Sequence, residues 1–437
     1  MMTRTAFLAG TAVLALLAVP AAAQDHDHHQ HGQEPAVPPV DHSAHANHNQ
    51  QAAPKKQPMR PAEGSGTALL PANEGGHHGL HIDLGGAWHG MAHGYLWGVH
   101  TDQSGPRGDS KTYVQSMAML SAERATSWGR VQLKSMLSLE PLMSNRGYPN
   151  LFATGETAGG EPLVDRQHPH DLFMELAARI DVNITENARL FVYGGPVGEP
   201  ALGPSAFMHR GSARYNPEAP ITHHWFDSTH ITYGVATMGI ATSHLQFEGS
   251  IFTGREPDED RWDIEKPRLD SWSVRASWSP SAEWTAQVSH GFLKQPEFLI
   301  HPDENEHRTT ASIGYADGKG LAVTAAFSSK DRDPGPALTA WLLEANWDLD
   351  DQHTLFARAE NVRNDELFPD HDDPLHEVPF RVSKFQLGYA WRAPIMGPVG
   401  LALGGSIAAF AKPDALDAAY GSSPIGATVF ARLSLGH

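Results

Sequence analysis

From Leu84 onward, apolar and polar residues alternate with a period of two in segments of about ten residues, each closed by a turn signal. In "DLFMELAARIDVN", Leu172, Met174, Leu176, Ala178, Ile180 and Val182 share one face, against Phe173, Glu175, Arg179, Asp181 and Asn183 on the other. In "KFQLGYAWR", Phe385, Leu387, Tyr389 and Trp391 oppose Lys384, Gln386 and Arg392. A helix of 3.6 residues per turn does not repeat this way, so the segments are strands with one apolar face. About sixteen are predicted, the first at 84–99 and the last at 424–435.

The links between them alternate in length. Very short ones, such as "RATS", "TENA" and "PSAE", take turns with long ones at 141–169, 196–227, 255–268 and 364–380. Trp88, Trp128, Trp278, Trp284, Trp347 and Trp391 fall at the short-link ends, and Trp97, Trp225, Trp272 and Trp341 near the long-link ends. Short turns on one rim, long loops on the other and an aromatic ring at each interface are the marks of a membrane barrel. A soluble sandwich would bury its tryptophans centrally. The expected fold is therefore all-β, an antiparallel up-and-down transmembrane β-barrel of about sixteen strands with a disordered His-rich N-terminal segment.

Composition sharpens this picture. Arg4 and the apolar run to Ala23 read as a cleaved secretory signal at 1–23, and the mature chain is expected to start near Gln24. Residues 24–80, rich in His, Pro and Gly, lack periodicity and are expected to be disordered in the periplasm, leaving 81–437 for the barrel. The absence of cysteine excludes disulfides and thiolate metal sites. A formal charge of −18 with scattered basic residues speaks against nucleic acid. Neither a Gly-x-Ser-x-Gly elbow nor a phosphate loop occurs, so no catalytic residue is assigned, no cofactor is required and an enzyme is not expected.

The region 84–437 resembles bacterial outer-membrane β-barrels of the porin type, by architecture. The resemblance implies the cell outer membrane, contact with its lipid, metal ions or small solutes as cargo, and a homotrimer among the open assemblies. The tail stretch "DHSAH" is similar to the tail repeats of the copper-resistance outer-membrane protein family, without the methionines of those repeats.

Three groups of residues carry candidate chemistry. The tail places His26, His28, His29, His31, His42, His45 and His48 among acidic and amide neighbours, a set suited to copper or zinc. Strand parity turns His89, Met91 and His93 of the first strand inward, with Met117 and Met119 on the next, Met136 on the third, and His230 and Met238 on the sixth. Imidazole with thioether suits Cu(I) or Ag(I), and ordinary packing is the competing role. "DRQHPHD" brings His168, His170 and Asp171 before the fourth strand, and "PITHHWFDSTH" brings His223, His224, Asp227 and His230 before the sixth. These suit Zn(II) or Cu(II), or pin a loop folded into the pore.

The reading is an outer-membrane barrel acting as a channel or transport protein linked to copper handling. The alternatives are a general diffusion porin with an incidental tail, and a soluble secreted β-protein that binds through its loops. A peptide spanning 24–80 is expected to bind Cu(II) or Zn(II) at neutral pH, and to lose affinity below the free imidazole pKa of about 6.5, because protonated His cannot ligate. Calorimetry with no heat from either metal at neutral pH would contradict this.

Overall fold

The computed structural model describes residues 60–74, 79–394 and 397–436. Two very short strands, β1 (Ala62–Glu63) and β2 (Leu69–Leu70), pair in a hairpin. They are followed by β3 (Leu80–Gly85), β4 (Trp88–Gln103), β5 (Ser110–Ala125) and β6 (Gly129–Leu137). A second hairpin, β7 (Tyr148–Ala158) and β8 (Glu161–Gln167), precedes β9 (Phe173–Asn183), β10 (Ala188–Gly198), β11 (Thr232–Thr242) and β12 (Leu245–Phe252). The remainder are β13 (Ser271–Trp278), β14 (Trp284–Leu293), β15 (Asn305–Ala316), β16 (Leu321–Asp333) and β17 (Ala337–Asp348). The last four are β18 (His353–Asn364), β19 (Phe380–Arg392), β20 (Val399–Ala411) and β21 (Ile425–Leu435).

The expected barrel is present. Strands β4 to β6 and β9 to β21 join antiparallel neighbours into one closed ring of sixteen long strands. It closes where β21 pairs with β4, Gly426 opposite Gln103 and Leu435 opposite Gly94. The short β3 continues that seam on the lower half of β4, with Leu80 opposite Ala92. Closure leaves no unpaired sheet edge in lipid, where an unmet backbone amide is costly.

Alternation sets the two faces of the wall. Leu120, Phe247, Val288, Leu387 and Ile407 are exposed on the outside, with Trp278, Trp284 and Trp347 toward the short-turn rim and Trp272 and Trp341 toward the long-loop rim. Three expectations fail here. Met238 is 66% exposed and faces outward, because parity along β11 sets it with Ile240 and not with the buried Thr237. Trp97 and Trp225 do not join the outer aromatic ring and are buried inside. Trp97 lies on the inward face of β4, and Trp225 belongs to a loop that turns into the lumen.

That loop, 199–231, is the main filling of the barrel. Its backbone amides donate to wall hydroxyls, Ala201 to Ser250 Oγ at 2.8 Å and Gly203 to Ser289 Oγ at 2.9 Å. Its side chains meet wall charges. Arg210 Nε lies 2.6 Å from Glu344 Oε1, while Arg358 Nε holds Glu344 Oε2 at 3.0 Å. Lys384 Nζ donates to Glu218 at 2.8 Å, and Thr222 N and Oγ1 both donate to Glu360. The β7–β8 hairpin folds in above it. Asn150 donates to the Ala219 carbonyl at 3.1 Å, and Phe152 stacks on Tyr420 at 4.2 Å between ring centroids.

A second filling comes from a stretch expected to be disordered. Within 24–80, residues 60–74 are ordered inside the barrel. Ser65 N donates to Ser205 Oγ at 3.0 Å, Gln246 to the Thr67 carbonyl at 2.8 Å, and Arg275 to Thr67 Oγ1 at 3.0 Å. Of its apolar side chains the segment buries Ala68 and Leu70. Its polar backbone also satisfies donors that the wall turns inward, which composition alone does not reveal.

Glu344 bridges loop and wall by holding two buried guanidiniums. Glu344→Ala leaves Arg358 without a carboxylate and Arg210 with only Asp227, at 3.5 Å, so folding stability in detergent should drop by about 3–5 kcal/mol. The drop is read from the urea midpoint. A midpoint equal to wild type would contradict the pinning role.

Candidate functional site

The two His-bearing segments converge inside the lumen. His168 and His170 lie in the short β8–β9 link, His168 directly after β8. His223 and His224 begin the single helical turn α1 (His223–Phe226), and His230 closes the turn that leads into β11. The rings touch one another: centroids are 5.4 Å apart for His168 and His224, 5.3 Å for His223 and His224, 5.1 Å for His223 and His230, and 5.2 Å for His170 and His230. All five are buried.

Each ring is held by Nδ1. His170 Nδ1 lies 2.9 Å from Glu140, His223 Nδ1 3.0 Å from Asp227, and His224 Nδ1 3.2 Å from Glu256. His230 Nδ1 is 2.6 Å from the Asp227 carbonyl, and His168 Nδ1 is 3.2 Å from the Pro169 carbonyl and 3.3 Å from Glu156. A carboxylate or carbonyl only accepts, so Nδ1–H is the donor in each pair. In a neutral ring this leaves the lone pair on Nε2. Among the described residues, Nε2 of all five is buried and has no hydrogen-bond partner.

Electrostatics sort the rings. Burial, together with the nearby Arg261, holds His168 well below the usual imidazole value. Burial likewise lowers His223, and it lowers His230 well below, with the neighbouring imidazoles adding to the effect. These three are neutral at pH 7. His170 and His224 are also pulled down by burial, but Glu140 reverses the shift for the first and Glu256 carries the second up to about 9.

Buried imidazoles fixed through Nδ1 by oxygen acceptors, with Nε2 left over, match the usual support of a metal-binding histidine. One ligand atom each from His168, His223 and His224 lies within 4.8 Å of the others. A tetrahedral Zn(II) with Zn–N of about 2.0–2.1 Å holds its donors roughly 3.4 Å apart, so a small side-chain closure assembles the site. Asp171 is not among these donors, since it pairs with Arg261 at 3.3 Å.

A methionine wall adjoins the cluster. Met117, Met119, Met136 and Met174 are buried together, with Met91 and Met208 packed against them. Ile231, next to His230, belongs to the same cluster, as does Tyr233. The inward placement expected for Met91, Met117, Met119 and Met136 holds. His89 is exposed in the hairpin with β3 and takes no part. Alternation had set Met174 on the lipid face. A register shift opposite Met136 and Leu137 leaves Met174 as the extra residue of a bulge and turns it inward.

A cavity of about 760 Å³ opens beside this wall. Asp350 and Gln352 of a short turn lie at one end, His93 and Arg432 flank it, and Glu140 and His170 lie at its inner end. The tail histidines, His26 to His48, lie outside the described residues. The partners Glu140, Asp227 and Glu256 are the functional residues that sequence reasoning assigned no role as ring supports. Asp227 was already named with His223, His224 and His230; the inward parity of Glu140, which follows Ser138, could have pointed to that residue, and Glu256 carried no signal.

No family model matches the chain, and no curated protein matches it. Solved structures do. The OmpF of Salmonella typhi in complex with daunomycin covers 81% of this chain over 100% of its own length, with 8% identity and a TM-score of 0.52. An anion-selective porin from Comamonas acidovorans covers 80% over 100% of its own length, with 11% identity and a TM-score of 0.51. At such identities the likeness is one of fold. With its apolar outer belt and aromatic rings, the chain is a β-barrel of the outer-membrane type.

Gly155 controls the placement of His224. Its φ is +101°, and a Cβ there would lie 2.4 Å from the His224 ring. Gly155→Ala is expected to displace the imidazole from Glu256 and to lower stability by about 1–3 kcal/mol, as overpacking does. Unchanged unfolding and an unchanged ring-proton spectrum for His224 would contradict this.

Proposed function

We propose that this barrel is an outer-membrane channel protein that binds and passes a transition-metal ion, copper first, through a lumen filled by its own loops. The observation that carries the reading is the cluster of five buried imidazoles whose Nε2 atoms have no partner among the described residues. Burying a ring nitrogen without a partner is costly, and the neutral rings of His168, His223 and His230 bring together lone pairs that call for an occupant accepting several at once. A metal cation does this. The sulfur wall supports copper over zinc, since thioethers favour Cu(I) while imidazole serves both copper oxidation states. The seven histidines between His26 and His48, of a type suited to the same ions, would add to the chain's capacity for metal.

A general diffusion porin is the second reading, supported by the 760 Å³ cavity. Against it stands the filling of the lumen by 60–74, 199–231 and the β7–β8 hairpin, since free diffusion of solutes needs an aqueous bore.

The test uses purified full-length protein in liposomes. His168→Ala/His223→Ala is expected to weaken copper binding at least about tenfold and to reduce copper passage. Met117→Leu/Met119→Leu keeps size and apolarity, costs less than about 1.5 kcal/mol, and should reduce silver passage while small-sugar permeation is unchanged. If both variants match wild type in metal flux, the imidazoles and sulfurs are packing and the diffusion reading takes over.

A further inference from the structure

Beyond the five rings, donors continue toward the long-loop rim. His224 and Glu256 offer ligand atoms within 4.8 Å of Glu297, and Glu297 lies within the same distance of His301 and Glu366. His301 belongs to the β14–β15 link and Glu366 to the β18–β19 link, both long loops of the same rim. Burial falls along this line. Glu256 and Glu297 are buried, while the side chain of His301 is 15% exposed and Glu366 is half-buried.

Two independent features ask for a cation here. One is open coordination: Glu256 Oε2 and His224 Nε2 are buried and unpartnered among the described residues, as are His301 Nε2 and Glu366 Oε1. The other is charge. Among the described residues, Glu256, Glu297, Glu304, Glu306, Asp365 and Glu366 surround three fixed cations. Lys330 Nζ holds Glu297 at 2.7 Å and Glu306 at 3.9 Å, Arg308 pairs with Glu306, and Arg332 pairs with Glu304 and Asp365. Six carboxyl groups against three cations leave an acidic excess, and buried carboxylates without partners are costly. Lys330 already brings one positive charge to Glu297, so the pocket is one that stabilises cations.

We infer that Glu297, His301 and Glu366 form an outer station for a divalent transition cation, joined through Glu256 and His224 to the imidazole centre. Two carboxylates with one imidazole favour Zn(II) or Cu(II) and disfavour the soft Ag(I), which the sulfur wall would take. Ions would thus exchange between a harder station near the outer surface and softer donors deeper in the barrel. The link between the two rests on the proposed metal role of the five-histidine centre, while the station itself does not.

The experiment is equilibrium dialysis of full-length, chelator-stripped protein against Zn(II) and, separately, Ag(I), followed by metal analysis. Heat-modifiable migration confirms that each variant is folded. His301→Ala/Glu366→Gln is expected to bind one Zn(II) fewer than wild type and the same amount of Ag(I), with the tail contributing equally to both. His301→Gln, which keeps more of the side-chain volume, serves if the double variant does not fold. His168→Ala/His223→Ala should lose a different Zn(II), so that combining the changes removes two. If only the His301/Glu366 variant loses zinc, the station stands and the five-histidine reading falls. Equal Zn(II) binding by wild type and the His301/Glu366 variant overturns the station, whatever the other variant does.

Discussion

A barrel wall that turns charge inward and buries it under its own loops must find partners for that charge, because a buried charge without one is costly. Here the partners come from the chain itself. Glu344 holds Arg210 and Arg358, Lys384 holds Glu218, and Arg275 binds Glu248 together with the Gly203 carbonyl. These contacts draw residues 199–231 into the pore and fix their path. Buried ion pairs of this kind add little net stability compared with apolar packing, but they strongly penalise any other arrangement. The wall therefore dictates one conformation of the loop, and everything near the loop depends on that conformation.

The imidazole cluster is the first consequence. His223, His224 and His230 lie at the end of the pinned loop, and His168 and His170 end the link that carries the β7–β8 hairpin. Neither segment could present its rings alone. Asp227 joins the pinning network to the cluster directly, since it accepts from His223, lies 3.5 Å from Arg210 and receives the Phe207 amide at 2.9 Å. Donor character then changes along the barrel, from sulfur beside the cavity through nitrogen in the centre to oxygen near the long-loop rim.

Most of the wall was legible in the sequence because a half-buried strand writes its exposure every second residue. All sixteen wall strands follow from that period, and link length tells the two rims apart. The failures share a cause. Period two assumes an unbroken ladder, so the bulge at Met174 escaped it, and a segment without periodicity such as 60–74 carries no sign that a wall will satisfy its backbone. The candidate histidines were legible as two local motifs. Their convergence was not, because Glu140 with His170, and Glu256 with His224, are contacts across about thirty residues of chain and several strands. The inward placement of Met117, Met119 and Met136 could be read from parity. The exposure of Met238 followed from the same rule, applied with the correct strand register.

The account turns on whether the unpartnered Nε2 atoms are ligands. Anomalous diffraction from crystals of the full-length protein soaked in Cu(II), with data on both sides of the copper edge, addresses this directly. The account predicts a copper peak bonded to Nε2 of at least two of His168, His223 and His224. Copper peaks confined to other parts of the molecule, with the five rings unmoved and unliganded, would contradict it.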